Sequence, residues 1–208
     1  AFGENGAEWI SLKPSALNLH NTFSELPLDV YIQSHALHRL IERMDCIPDW
    51  YLQLNLIQSL KKVKALKDTN GNILIEYRID DIKTGYLRAD IINGILIIRT
   101  FLFLTHNGTP EGEKLKEQFG LNKTDTSYFA LDRLSTFMAS DVQNNEEVKK
   151  IFINAGFGRI FELRDKLKGL YSIKKEQSQA MLMIPYLKHQ EFEHSDSRVF
   201  ETVNPLVL

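Results

Sequence analysis

Asn93-Gly94 stands between Ile91-Ile92 and Ile95-Leu96, and it restricts the possible folds more than any other stretch of the 208 residues. Both central positions of a two-residue hairpin turn need positive φ, which Asn and Gly tolerate best. The flanking runs are apolar, so a hairpin of two antiparallel strands is expected here. Counting outward from the turn pairs Ile92 with Ile95, Asp90 with Ile97, Arg88 with Arg99 and Tyr86 with Phe101. Two arginines then face each other, which is unfavourable unless an acid lies between them.

Strands are predicted over about 73–79, 86–92 and 95–105. Alternation puts Glu76, Arg78, Tyr86, Arg88, Asp90 and Arg99 on one face, with Phe101 and Phe103 at its far end. Leu87, Ala89, Ile91, Leu96, Ile98, Leu102 and Leu104 form the other. The third strand is apolar on both sides, as a central strand should be. Two accounts of the polar face stand together. Glu76 and Asp90 could neutralise the arginines in an internal salt network. Alternatively, the arginines and aromatics could receive an anion and a stacked base.

The remaining elements follow from periodicity and caps. Residues 1–28 read as an irregular arm. A short strand at 30–32 is followed by a helix from Ser34 to Met44 and a second helix over about 49–66. Thr109-Pro110-Glu111 starts another helix, which Gly120 stops. Further helices are expected over about 125–140, 144–155, 159–170 and 176–187. The fold class is therefore α+β: two N-terminal helices on a three- to four-stranded antiparallel meander, followed by a mainly helical C-terminal half. The expected division is an arm at 1–28, an α+β core at 29–108, a helical region at 109–194 and a tail at 195–208.

Composition narrows the function classes. Hydrophobic residues make up 43% and charged residues 25%, an ordinary globular balance, and the formal charge is −2. Any nucleic-acid role must then rest on a local basic patch. No apolar run is long enough for a membrane helix, and no signal peptide is visible, so a cytoplasmic location is expected. The chain has no initiator Met, which leaves open that its start is processed or truncated. Cys46 is the only cysteine, so it suits a reducing compartment and reads as a buried thiol. Metal spacing, GxGxxG, the P-loop and GxSxG are absent, and neither a metal nor a cofactor is expected. His189, Glu191, Glu193 and His194 read as part of a polar tail.

The helix S-H-A-L-H-R-L-I-E-R-M is amphipathic. Ala36, Leu37, Leu40, Ile41 and Met44 form one face; His35, His38, Arg39, Glu42 and Arg43 form the other. Arg39 and Arg43 are i,i+4 neighbours, and Arg suits forked phosphate contacts.

The order of that helix, a second helix and an antiparallel meander resembles small toxin ribonucleases of the barnase–EndoU–colicin–RelE superfamily. It is similar in particular to toxin-like members with an "HAxxRxxxR" opening helix. The resemblance covers residues 30–106 and implies metal-independent RNA cleavage by 2′-OH transesterification. It matches His35, Arg39 and Arg43 to the helix motif. On the sheet, the residues themselves add Glu76, Arg88 and Arg99 as catalytic candidates, and Arg78 and Tyr86 beside Arg39 and Arg43 for substrate. His106, at the end of the third strand, is a candidate acid, although strand parity turns it away from Arg99.

Two functions fit this reading. One is an endoribonuclease. The other is a non-catalytic binding module that holds nucleic acid or a protein partner through the arginine-rich sheet face or the helical half.

Overall fold

The computed structural model describes residues 2–3, 6–7, 10–19, 25–68, 70–172 and 179–187. The tail at 195–208, the His189–His194 group and part of the helix expected at 176–187 lie outside the described residues. In chain order the strands are β1 (Phe2–Gly3), β2 (Gly6–Ala7), β3 (Ser11–Leu12), β4 (Leu28–Ile32), β5 (Ala65–Lys67), β6 (Ile73–Ile79), β7 (Ile82–Ile92) and β8 (Ile95–Phe103). The α-helices include α1 (Ser34–Arg43), α2 (Asp49–Lys61), α3 (Pro110–Phe119), α4 (Lys123–Tyr128), α5 (Leu134–Met138), α6 (Ser140–Gln143), α7 (Glu146–Asn154) and α8 (Leu163–Lys166). No helix among the described residues is long and apolar enough to cross a membrane.

The protein is α+β, but the expected architecture needs correction. The sheet has six strands in the order β3-β4-β8-β7-β6-β5, and it is mixed rather than an antiparallel meander. β4 precedes α1 and pairs in parallel with β8, Val30 opposite Leu96 and Ile32 opposite Ile98. Local pattern cannot show this. A parallel partner lies across a long crossover, here α1, α2 and three strands, so no turn chemistry announces it. The arm is not wholly irregular either, because β3 extends the sheet beside β4.

The Asn93-Gly94 turn forms as expected, with φ of 53° and 77° and Ile92 opposite Ile95. A second two-residue turn joins β6 to β7. Asp80 and Asp81 both adopt positive φ there, 46° and 64°. Short polar side chains tolerate this conformation, so β7 begins at Ile82 instead of near residue 86.

Two irregularities reset the register. Between Arg88 and Ala89 the pairing jumps from Thr100 to Ile98, which leaves Arg99 as an extra residue. Arg88 therefore does not oppose Arg99, and Tyr86 faces Leu102 rather than Phe101. Beyond the bulge β8 changes parity: Phe101 opposes Leu87 on the helix-covered face, and its ring stacks edge-on against Tyr77 at 5.5 Å. Gly85 makes room, since a Cβ there would lie 2.6 Å from the Phe101 ring. A second shift between Tyr77 and Arg78 leaves Thr84 extra and sets Lys83 opposite Arg78.

α2 lies over β6: Tyr77 donates from its hydroxyl to the Leu52 carbonyl at 3.0 Å, and Arg78 N donates to Ser59 Oγ at 3.0 Å. α1 packs along β8. It buries Ala36, Leu40 and the following Met44, but Leu37 and Ile41 stay 37% and 42% exposed. A helix laid on a sheet buries a narrower stripe than its full apolar arc. On α2 the buried residues are Leu52, Leu56 and Leu60 with the polar Asn55 and Ser59, while Trp50 and Leu54 face outward.

The helix expected over 125–140 is three short ones. Ala130, in the left-handed region at φ 52°, ends the first turn of chain, and the second begins after Arg133. One buried apolar cluster includes residues on both sides of position 108. Its aromatic spine runs from Phe103 to Phe137 at 5.7 Å and on to Phe152 at 4.9 Å.

Candidate active site

The expected sheet face exists, but its charges are satisfied within the fold. Arg78 Nε donates to Glu76 Oε2 at 2.9 Å. Lys83 reaches the same side through the β7 irregularity. It contacts Glu111 of α3, donates to Tyr86 Oη at 2.8 Å and lies 3.8 Å from Glu76 Oε1. Tyr86 is fully buried and donates to Glu111 at 3.2 Å. Burial, then the charges of Glu111 and Glu76, push its hydroxyl well above the usual range. Arg99 Nε pairs with Asp90 at 3.1 Å, and the exposed Arg88 donates to Asn72 Oδ1 at 2.9 Å. These guanidinium groups are thus dispersed, each with its own partner. Such a network fixes α3 on the sheet and leaves little for a ligand.

A second cluster differs in kind. It forms where the C-terminal end of α1 meets the end of β8 and the loop between α4 and α5. Arg43 is half-buried and donates from Nη1 to the Phe101 carbonyl at 2.8 Å, which fixes it to β8 just beyond the bulge. Arg39, one turn earlier, pairs with Glu42 at 2.6 Å. His106 follows the strand end in a turn closed by Thr109, whose N donates to the His106 carbonyl at 3.0 Å. α3 packs on this turn so closely that a Cβ at Gly112 would lie 2.1 Å from the His106 oxygen. The His106 ring bonds through Nδ1 to the Asn107 carbonyl. A carbonyl only accepts, so Nδ1 carries the proton and Nε2 presents a lone pair. Asp132 completes the group, and the neighbouring loop is tied to the end of α1 by Ser135, which donates from N and Oγ to Asp45 at 3.0 and 2.7 Å.

Electrostatics separates these side chains. Burial, then the positive charges of Arg43, Lys123 and Arg39, lowers the His106 pKa from its ordinary 6.5, so the ring is neutral at pH 7. Burial raises the Asp132 pKa above the ordinary 3.8, against the pull of Arg43 and Arg133. Burial also lowers the Arg43 pKa, with Asp132 opposing. Burial acts to raise that of Glu42, but the hydrogen bond and charge of Arg39, with Arg43 and Arg133, hold it below the usual carboxylate range. Arg43, Lys123 and Arg39 thus act on the imidazole, and Arg43, Arg133 and Glu42 on the Asp132 carboxyl, so that Arg43 is common to both. Among the described residues no ion pair is made to Asp132, and His106 Nε2 has no partner. Two titratable groups shifted in opposite directions near one arginine make this junction a candidate for chemistry.

The sequence candidates divide accordingly. Arg39, Arg43 and His106 come together. His35 lies exposed in the first turn of α1, ahead of Arg39. Glu76, Arg78 and Tyr86 join the buried network, and Arg88 and Arg99 stand apart on the open part of the sheet. Asp132, Lys83 and Glu111 were not among the candidates. Asp132 carries no local signal: it sits in a stretch that reads as mid-helix. Glu111 reads as an ordinary first-turn acid. Cys46 is buried, and burial pushes its thiol up to about 12, so it is no nucleophile. Comparisons with protein-family models, with curated proteins and with solved structures each find no match to this chain.

Proposed function

We propose that this chain is a metal-independent endoribonuclease acting at the Arg39–Arg43–His106 cluster. The observation that carries the reading is His106: half-buried, neutral, with Nε2 open and two arginines nearby. A neutral imidazole can take the proton of a ribose 2′-OH. The 2′-oxygen then attacks the adjacent phosphorus, and the 5′-oxygen leaves. Arg43, held by Phe101, and Arg39, held by Glu42, stabilise the charge that builds on the phosphoryl oxygens. Glu76, Arg78, Tyr86, Arg88 and Arg99 serve the fold. A cytoplasmic setting suits the lone buried thiol.

The engagement of both arginines by groups of the chain itself also favours a second reading, a module that holds RNA phosphates without chemistry. Incubating RNA with the pure protein and EDTA separates the two. Cleavage leaving 2′,3′-cyclic ends, reduced about 10²- to 10⁴-fold in His106→Gln, is the expected result. Intact RNA retained in a salt-sensitive way selects the binding module. Neither cleavage nor retention removes both.

A further inference from the structure

We propose that Asp132 is the general acid of this site, the group that protonates the leaving 5′-oxygen, so that the helical half supplies a catalytic residue. The inference rests on the ribonuclease reading above. Its geometry is the loop between α4 and α5. Leu131 N donates to the Thr126 carbonyl at 2.8 Å, Thr136 Oγ1 donates to the Ala130 carbonyl at 2.6 Å, and Ser135 is held on Asp45. These bonds hold the chain on either side of the half-buried Asp132, and Thr105 Oγ1 donates to the Leu131 carbonyl at 2.8 Å, which joins the residue before His106 to the residue before Asp132. His106 belongs to the opposite element, the end of β8, and shares Arg43 as its neighbour. A candidate base and a candidate acid thus meet at one junction of the fold and share the charge of Arg43.

The environments agree with these roles. The charged groups facing His106 are Arg43, Lys123 and Arg39; those facing Asp132 are Arg43, Arg133 and Glu42. They and burial leave the imidazole easier to keep neutral and the carboxyl easier to keep protonated. Environments that shift two titrating groups in opposite directions mark an acid and a base. In the step, His106 Nε2 takes the 2′-OH proton, the 2′-O–P bond forms, and the P–O5′ bond breaks as Asp132 gives its proton to the 5′-oxygen. The imidazolium and carboxylate left behind exchange protons with solvent.

Because the His106 pKa lies below 6.5 and the Asp132 pKa above 3.8, activity should rise and fall within acidic pH. The test compares ordinary RNA with RNA whose scissile 5′-oxygen is replaced by sulfur, a leaving group that needs no proton. Asp132→Asn should lose about 10²- to 10⁴-fold in kcat on ordinary RNA, together with the alkaline limb of the pH profile. On the 5′-thio substrate it should lose less than about tenfold, whereas His106→Gln should be impaired on both substrates. Thermal unfolding at pH 7 checks that the variant is folded. If the wild-type chain cleaves RNA and Asp132→Asn is equally active, or equally impaired on both substrates, the acid assignment fails while the ribonuclease reading stands. If the wild-type chain cleaves neither substrate at any pH, both are overturned.

Discussion

At the scale of single residues, the candidate site stores its chemistry as a cost to stability. The folded-state pKa of His106 is depressed, so the unfolded chain takes up the proton more readily. The stability this contributes is present above pH 6.5 and is lost as the pH falls from there toward the folded value. Asp132 has the opposite sign. Its folded-state pKa is raised, so its contribution is favourable at low pH and lost as the pH rises through that value. An ionised, half-buried Asp132 therefore burdens the fold at neutral pH. Asp132→Asn should unfold at a higher temperature than wild type at pH 7, and the gain should vanish as the pH approaches 4; calorimetry across that range decides it. His106→Gln should flatten the loss of stability between pH 6.5 and 5. A residue that weakens its own fold is better explained by function than by packing.

At the scale of elements, backbone conformations decide where side chains arrive. The β8 bulge makes Arg99 an extra residue and moves Phe101 onto the helix-covered face, where its carbonyl receives Arg43. The left-handed Ala130 cuts a helix that composition would have continued. An L side chain in that conformation costs about 1–2 kcal/mol. Part of the relief is offset by the greater freedom of glycine in the unfolded chain, so Ala130→Gly should stabilise the protein by about 0.5–1 kcal/mol. Urea denaturation would show it, and an unchanged or lower midpoint would mean that the loop between α4 and α5 depends on the alanine methyl.

At the scale of the whole molecule, α3 joins the helical half to the sheet through Glu111. Its carboxylate is shared by Lys83 and Tyr86, and its side chain is only 6% exposed. Removing one partner of a buried ion pair leaves the other uncompensated, typically by about 3–5 kcal/mol. Lys83 retains Glu76 and some solvent, so Glu111→Gln should cost about 3 kcal/mol in chemical denaturation. The double change Lys83→Met/Glu111→Met should recover most of that. RNA cleavage should survive in whichever of these variants folds, because the network lies apart from the Arg43 cluster.

Much of the local architecture was legible in the chain. Asn93-Gly94 specified its hairpin because two positive-φ positions are a strictly local demand. The Thr109-Pro110 start and Gly120 stop of α3 are equally local. The pairing of Arg39 with Arg43 on one helix face followed from the helical repeat. Tertiary structure decided the rest. The parallel contact of β4 with β8 depends on where a long crossover returns. The displacement of Arg99 depends on a bulge that no residue type announces. The junction of Arg43, His106 and Asp132 draws three residues from distant parts of the sequence, which only long-range packing of the helical half against the sheet can bring together.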